Sequence, residues 1–211
     1  RYYVAGLKYA ESPYAHESLG STIAIKPECY AAVRGFPKRN AAEDFYLLNK
    51  AVKVGRLVQS ENGLVTLMGR KSDRVPFGTG VGTEKFHQKI ESKQPVTFYH
   101  PNSFKILKNL VNCLREWSQN PDKNPNKQLL TEAVRGDVDI QDLARLEFLL
   151  ESLGFFDVLK TSKEQRTTAS AILKHLHESW DGFKTLKLIH GLRDHFFPEG
   201  IQDYDYQFVG N

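Results

Sequence analysis

The sequence is poor in cysteine, has a single methionine, and never gathers its apolar residues into a long run. Two cysteines, Cys29 and Cys113, cannot build a disulfide framework, and without a Cys-x-x-Cys pair there is no thiolate zinc site. Both read as buried thiols of a reducing compartment, which places the protein in the cytoplasm. No stretch approaches the roughly 20 apolar residues that cross a bilayer, so no transmembrane segment is expected. A signal peptide is lacking too. The chain opens on Arg1 rather than methionine, from which we expect a partial or processed protein. Blocks of Lys and Arg are also missing. A net charge of +4 over 211 residues admits an anionic ligand such as a sugar nucleotide but not a nucleic-acid track. Metal-binding histidine spacings are absent: His175 and His177 are two apart, His190 and His195 five apart, and no His-Glu-x-x-His occurs.

What is present is the composition of a folded protein, 40 % apolar and 26 % charged. The pattern changes near His100. Before it, Ser21–Ile25 and Gly63–Met68 read as short strands between turn residues. Pro27–Val33 reads as a helix that starts on proline and stops at Gly35. Glu43–Val54 carries Phe45, Leu47, Leu48, Val52 and Val54 at helical spacing and stops at Gly55. Asn40, three residues before Glu43, suggests a capping box. Gly78, Gly80 and Gly82 lack the strand-to-helix context of a dinucleotide fingerprint and read as a flexible loop that closes over substrate.

After Pro101 the pattern is helical. Phe104, Leu107, Leu110, Val111 and Leu114 share one face. A polar break at Asn120–Asn126 precedes helices expected at Lys127–Val134, Ile140–Ser152, Lys163–Ser179 and Phe183–Phe197. Pro198–Asn211 reads as an irregular tail. In the last of these helices Phe183, Leu186, Ile189, Leu192 and Phe196 form a stripe with Lys184, Lys187 and Arg193 opposite. Packing is its first reading; a partner helix or peripheral membrane contact is the second.

Glu43 and Asp44 fall in the first turn of a helix, where open N–H groups and the dipole favour negative charge. An ionised carboxylate there can take the proton of an attacking hydroxyl. Acidic residues are common at helix starts, so the pair alone is equally well read as helix-start chemistry.

The surroundings of the pair carry more. Gly35-Phe36-Pro37-Lys38-Arg39-Asn40-Ala41-Ala42-Glu43-Asp44-Phe45-Tyr46-Leu47-Leu48, followed by Lys53-Val54-Gly55, resembles the Gly-Phe-Pro…Glu-Asp block of family 2 inverting glycosyltransferases of the GT-A type. Gly20–Lys26 and Tyr30–Arg34 stand where that family has a strand-and-helix element. Gly69–Gly80 resembles the Ser-Asp-Arg-Val-Pro-Phe-Gly-Thr-Gly segment of a bacterial branch. The resemblance covers residues 15 to 82. It implies a partial GT-A acceptor-side subdomain over residues 1–100. The helical pattern after it lies outside the resemblance and is expected to pack as a bundle over residues 101–211, giving an α/β, α-rich chain.

The resemblance also implies roles. Asp44 is the general base for the acceptor hydroxyl, and Glu43 orients the helix start or binds acceptor. Arg70 and Arg74 contact diphosphate or acceptor oxygens, with Ser72 and Asp73 of the same loop and His16 and Ser21 ahead of the block on the substrate side. Surface arginines and a satisfied structural histidine are the plain alternatives. The complete enzyme of this family takes a nucleotide-sugar donor, a glycosyl acceptor and a divalent metal (Mg or Mn) held by an Asp-x-Asp motif that precedes the Glu-Asp block. Here the matches, Asp137-Val138-Asp139 and Asp203-Tyr204-Asp205, come after it and read as capping and solvent. We therefore expect the donor and metal half to be absent and the chain to be inactive alone. A non-catalytic helical interaction module, docking a partner through residues 183–197, is the competing expectation.

Overall fold

Proline at the first position of a helix costs no hydrogen bond and fixes φ in advance. Helix α5 (Pro101–Gln119) starts this way, with His100 Nδ1 accepting from the Asn102 N–H at 3.1 Å. Its expected face, Phe104, Leu107, Leu110, Val111 and Leu114, is buried, and Ile106 and Trp117 widen it. In the computed structural model, which describes residues 2–18, 22–58, 65–66, 79–121, 131, 133–134 and 136–201, this helix is the axis of one of two compact units. Unit 1 joins Arg1–Ala15 to Phe98–Asn211, and unit 2 is His16–Thr97. The sequence boundary at residue 100 falls near the second crossing; the first, after Ala15, has no counterpart in it.

In unit 1, α1 (Tyr2–Tyr9) packs on α5. Gly6 makes this approach feasible: a β-carbon there would lie 2.4 Å from the Phe104 ring. Tyr2, Tyr3 and Tyr99 surround that ring, with centroids 6.0–6.3 Å from it, and the Tyr2 hydroxyl donates to the Tyr99 carbonyl at 3.1 Å. Helices α6 (Ile140–Ser152), α7 (Phe155–Gln165), α8 (Ala169–Ser179) and α9 (Gly182–His195) complete the unit. α8 and α9 pack on α5, α7 on α8, and α6 on α7 and α9. The helix expected over Lys163–Ser179 is two helices. Arg166 is extended, and Thr168 Oγ1 accepts from the Ala171 N–H at 3.3 Å to start α8. α7 begins earlier, after Gly154 in the left-handed region (φ 72°), which drops Phe155 against Trp180. Of the helix expected at Lys127–Val134, Thr131 and Ala133 are helical and Val134 is a turn; residues 127–130 lie outside the described residues.

The stripe of α9 is partly core. Ile189 and Leu192 are fully buried, and Phe183, Leu186 and Phe196 half-buried. Packing, the first reading of this face, holds for Ile189, Leu192 and Phe196, which join the core of unit 1. Past α9, Pro198 and Glu199 are irregular and β2 (Gly200–Ile201) pairs with β1 (Thr97–Phe98).

Unit 2 contains α2 (Pro27–Ala32), α3 (Glu43–Val54) and α4 (Thr79–Glu91). Val33, Leu47 and Ala51 are its buried apolar centre, flanked by Ile25, Cys29 and Leu57. The strand expected at Ser21–Ile25 does not form over residues 22–25; burial alternates there, with Ile23 and Ile25 turned inward, but no ladder accompanies it. Of Gly63–Met68, Val65 and Thr66 are described and neither is in a strand. Among the described residues the fold is therefore helix-rich, with β1 and β2 its only strands. The glycine-rich loop is also corrected: Gly80 and Gly82 lie within α4, and Gly78 lies outside the described residues.

The tightest packing constraint yields a stability prediction. Gly6→Ala forces the buried Phe104 ring to shift and should lower unfolding free energy by about 1–3 kcal/mol, measured by urea denaturation. An unchanged midpoint would show that α1 has room to move off α5.

Candidate functional site

The Glu-Asp pair is positioned by the start of α3. Its N-cap is Ala42, a left-handed residue (φ 59°) whose side chain gives no cap. Asn40 lies two residues too early for the expected capping box, since Phe45, not Glu43, occupies the third helical position. Asp44 does the local work instead: its Oδ1 accepts from the Phe45 N–H at 2.7 Å. Negative charge in this first turn also suits the helix dipole. Glu43 and Asp44 are both half-buried.

The Gly-Phe-Pro turn is fastened to the same helix. Lys50 Nζ donates to the Val33 carbonyl at 2.6 Å and to the Gly35 carbonyl at 3.0 Å. Gly35 (φ 65°) is required twice over, since a β-carbon would also come 2.9 Å from the Tyr30 hydroxyl. That hydroxyl accepts from the Phe36 N–H at 3.4 Å. Beyond the turn, the Arg39 guanidinium lies 3.9 Å over the Tyr46 ring, itself edge-to-face with Phe45. Sequence reasoning missed Lys50 and Tyr30. Their signal is faint: a lysine one turn past buried Leu47, and a tyrosine five residues before a glycine.

Of the other expected site residues, His16 is half-buried in unit 2, and burial pushes its imidazole below the usual histidine range. Ser21, Arg70, Ser72, Asp73 and Arg74 lie outside the described residues. Nor do the described residues offer ligands that fit the divalent metal of the complete family enzyme. Asp137 Oδ2 accepts from Asn109 Nδ2 at 3.0 Å, and Asp139 stands at the N-cap of α6 without a capping bond from its side chain. Asp203 and Asp205 lie outside the described residues. No group of three or more His, Cys, Asp or Glu suited to a metal occurs among those described.

The histidines of unit 1 serve its packing. Ser162 donates to the Val158 carbonyl at 2.6 Å, so the 2.7 Å contact with His175 uses the imidazole Nδ1–H as donor. A serine already donating and fully buried is no nucleophile. The Tyr99 hydroxyl meets His190 Nε2 at 3.0 Å, and the Tyr14 hydroxyl donates to the His177 carbonyl at 2.7 Å. Burial, aided by Arg193, lowers the His190 pKa; burial, aided by Arg115, lowers that of His177. Comparisons of the chain with protein-family models, with curated proteins and with solved structures found no match.

Two outcomes follow. Lys50→Met should cost about 2 kcal/mol locally, because both bonds involve a charged donor. Hydrogen exchange at Gly35, whose N–H donates to the Tyr30 carbonyl at 2.9 Å, should accelerate; unchanged exchange would show that the clamp does not hold the turn. For unit 1, a histidine held below its ordinary pKa stabilises the fold while neutral. That stability is present above the unfolded value near pH 6.5 and is lost as pH falls. Urea midpoints should drop between about pH 7.5 and about pH 5.5, and less steeply in a His177→Asn/His190→Gln variant. A flat profile in the parent protein would contradict this.

Proposed function

We propose that this chain is the acceptor-side part of an inverting family 2 glycosyltransferase of the GT-A type, working on the cytoplasmic side with a donor- and metal-binding half that these residues do not supply. The observation that carries the reading is the ordered Gly35-Phe36-Pro37…Glu43-Asp44 block, in which Lys50 ties the turn to the helix that bears the acids. A site that must meet an acceptor hydroxyl needs its base on a rigid element, and α3 offers that.

In this reading the Asp44 carboxylate takes the acceptor hydroxyl proton as the acceptor oxygen bonds to the anomeric carbon of a nucleotide-sugar. The bond from that carbon to the diphosphate oxygen breaks, and the nucleoside diphosphate leaves with the electron pair. One displacement inverts the anomeric configuration. Glu43 binds acceptor or supports the helix start. Arg70, Ser72, Asp73, Arg74, His16 and Ser21 belong to this proposal as substrate contacts. No step is routed through the metal.

The isolated chain should transfer no sugar. In a protein that also carries the donor half, Asp44→Asn should lower turnover about a hundred- to ten-thousand-fold and leave nucleotide binding nearly intact. Asparagine keeps an oxygen for the Phe45 N–H, so folding is retained. Full turnover in that variant would remove Asp44 from the reaction.

A further inference from the structure

The turn after α2 is built against conformational preference. Arg34 (φ 58°) and Gly35 (φ 65°) are consecutive left-handed residues. Glycine adopts this region freely, whereas a residue with a β-carbon does so at a cost. The Lys50 bonds hold the turn in this form. Its result is that Phe36 faces outward, 48 % exposed, beside Tyr30 at 39 %. The two rings meet edge-to-face at 6.1 Å, and the Phe36 N–H donates to the Tyr30 hydroxyl. Strain maintained in order to display a large apolar ring points to something outside the unit's own buried centre of Val33, Leu47 and Ala51.

The charges of this segment are mostly positive. Lys26, Arg34, Lys38 and Arg39 are all exposed, and between residues 26 and 39 the sole acidic side chain is Glu28. Lys26 is the N-cap of α2, and its carbonyl accepts from the Tyr30 N–H at 3.0 Å. Four cations flanking two exposed aromatic rings form a surface complementary to an anionic partner that also accepts apolar groups.

We propose that this turn docks on an anionic lipid surface, with Phe36 and Tyr30 entering between headgroups and Lys26, Arg34, Lys38 and Arg39 meeting the phosphates. A nucleic-acid track is the poorer fit. The cations are confined to one short segment, and the edge-to-face rings leave no parallel platform for successive bases. Vesicle binding needs no turnover, so this proposal and the transferase reading succeed or fail separately.

The test is co-sedimentation of the 211-residue protein with vesicles of phosphatidylcholine alone and of phosphatidylcholine mixed with phosphatidylglycerol. Binding to the mixed vesicles is expected, weakening with added salt, and none to phosphatidylcholine alone. Phe36→Ala should lower partitioning about ten-fold. Arg34→Gln/Lys38→Gln/Arg39→Gln should lower it on the order of a hundred-fold, at roughly five-fold per charge. If that triple variant does not fold, Lys38→Gln alone should show the five-fold step, roughly. Phe148→Ala, which removes an exposed ring of unit 1, should leave binding unchanged. Four results would each overturn the proposal: no binding to mixed vesicles, equal binding to both compositions, binding that survives the Phe36 and charge variants, or selective binding of a single-stranded oligonucleotide that those variants abolish.

Discussion

A single ammonium group holds unit 2's candidate site in shape. Lys50 Nζ bridges the Val33 and Gly35 carbonyls, two groups that the end of α2 leaves without helical partners. With that bridge the left-handed pair Arg34 and Gly35 is held, Phe36 is displayed, and the turn is fixed relative to α3. The first turn of α3 carries Glu43 and Asp44, and the Asp44 carboxylate binds back to the Phe45 N–H. Turn and acids thus belong to one braced element. Charged hydrogen bonds suit that purpose because they are stronger than neutral ones and directional.

Unit 1 rests on a different principle. α5 buries an unusually wide face, and the other helices are fitted to it by aromatic rings and by close approaches at glycine. Gly191, whose β-carbon would lie 2.6 Å from the Leu149 side chain, does between α9 and α6 what Gly6 does between α1 and α5. Some polar groups taken into this packing find partners, as the pairings of Ser162 with His175 and of Tyr99 with His190 illustrate, whereas the buried Ser103 Oγ has none among the described residues. Burial pushes the Tyr3 and Tyr14 hydroxyls well above the usual phenol range, so both stay neutral, and Tyr14 donates to the His177 carbonyl. These groups organise the unit rather than react.

Much of the helical frame was legible in the sequence because its signals are local. Pro27 and Pro101 mark helix starts, Gly55 marks a stop, and the apolar period of residues 104–114 identifies the buried face of α5. α3 and α6 have the bounds that periodicity indicates. What was not legible depends on tertiary partners. The alternation at Ile23 and Ile25 reads as a strand, yet a strand requires a neighbour that supplies a ladder. Gly80 and Gly82 read as a loop because glycine disfavours helices, and α4 contains both. α1 was missed because eight residues have too few turns to show a period, and its glycine matters only against Phe104. In the site, Glu43 and Asp44 were legible as a helix start; the clamp from Lys50 was not, since its acceptors lie 15 and 17 residues away.

The surface that Phe36 and Tyr30 present and the acids at the start of α3 are therefore two outputs of one local construction. The functional reading requires Asp44 to act in a single displacement, and stereochemistry reports that step directly. The decisive measurement is the anomeric configuration of the product, read by NMR, when the protein completed by its donor half acts on a nucleotide sugar of known α configuration. A β-linked product is the predicted result. An α-linked product would mean retention and would contradict the role assigned to Asp44.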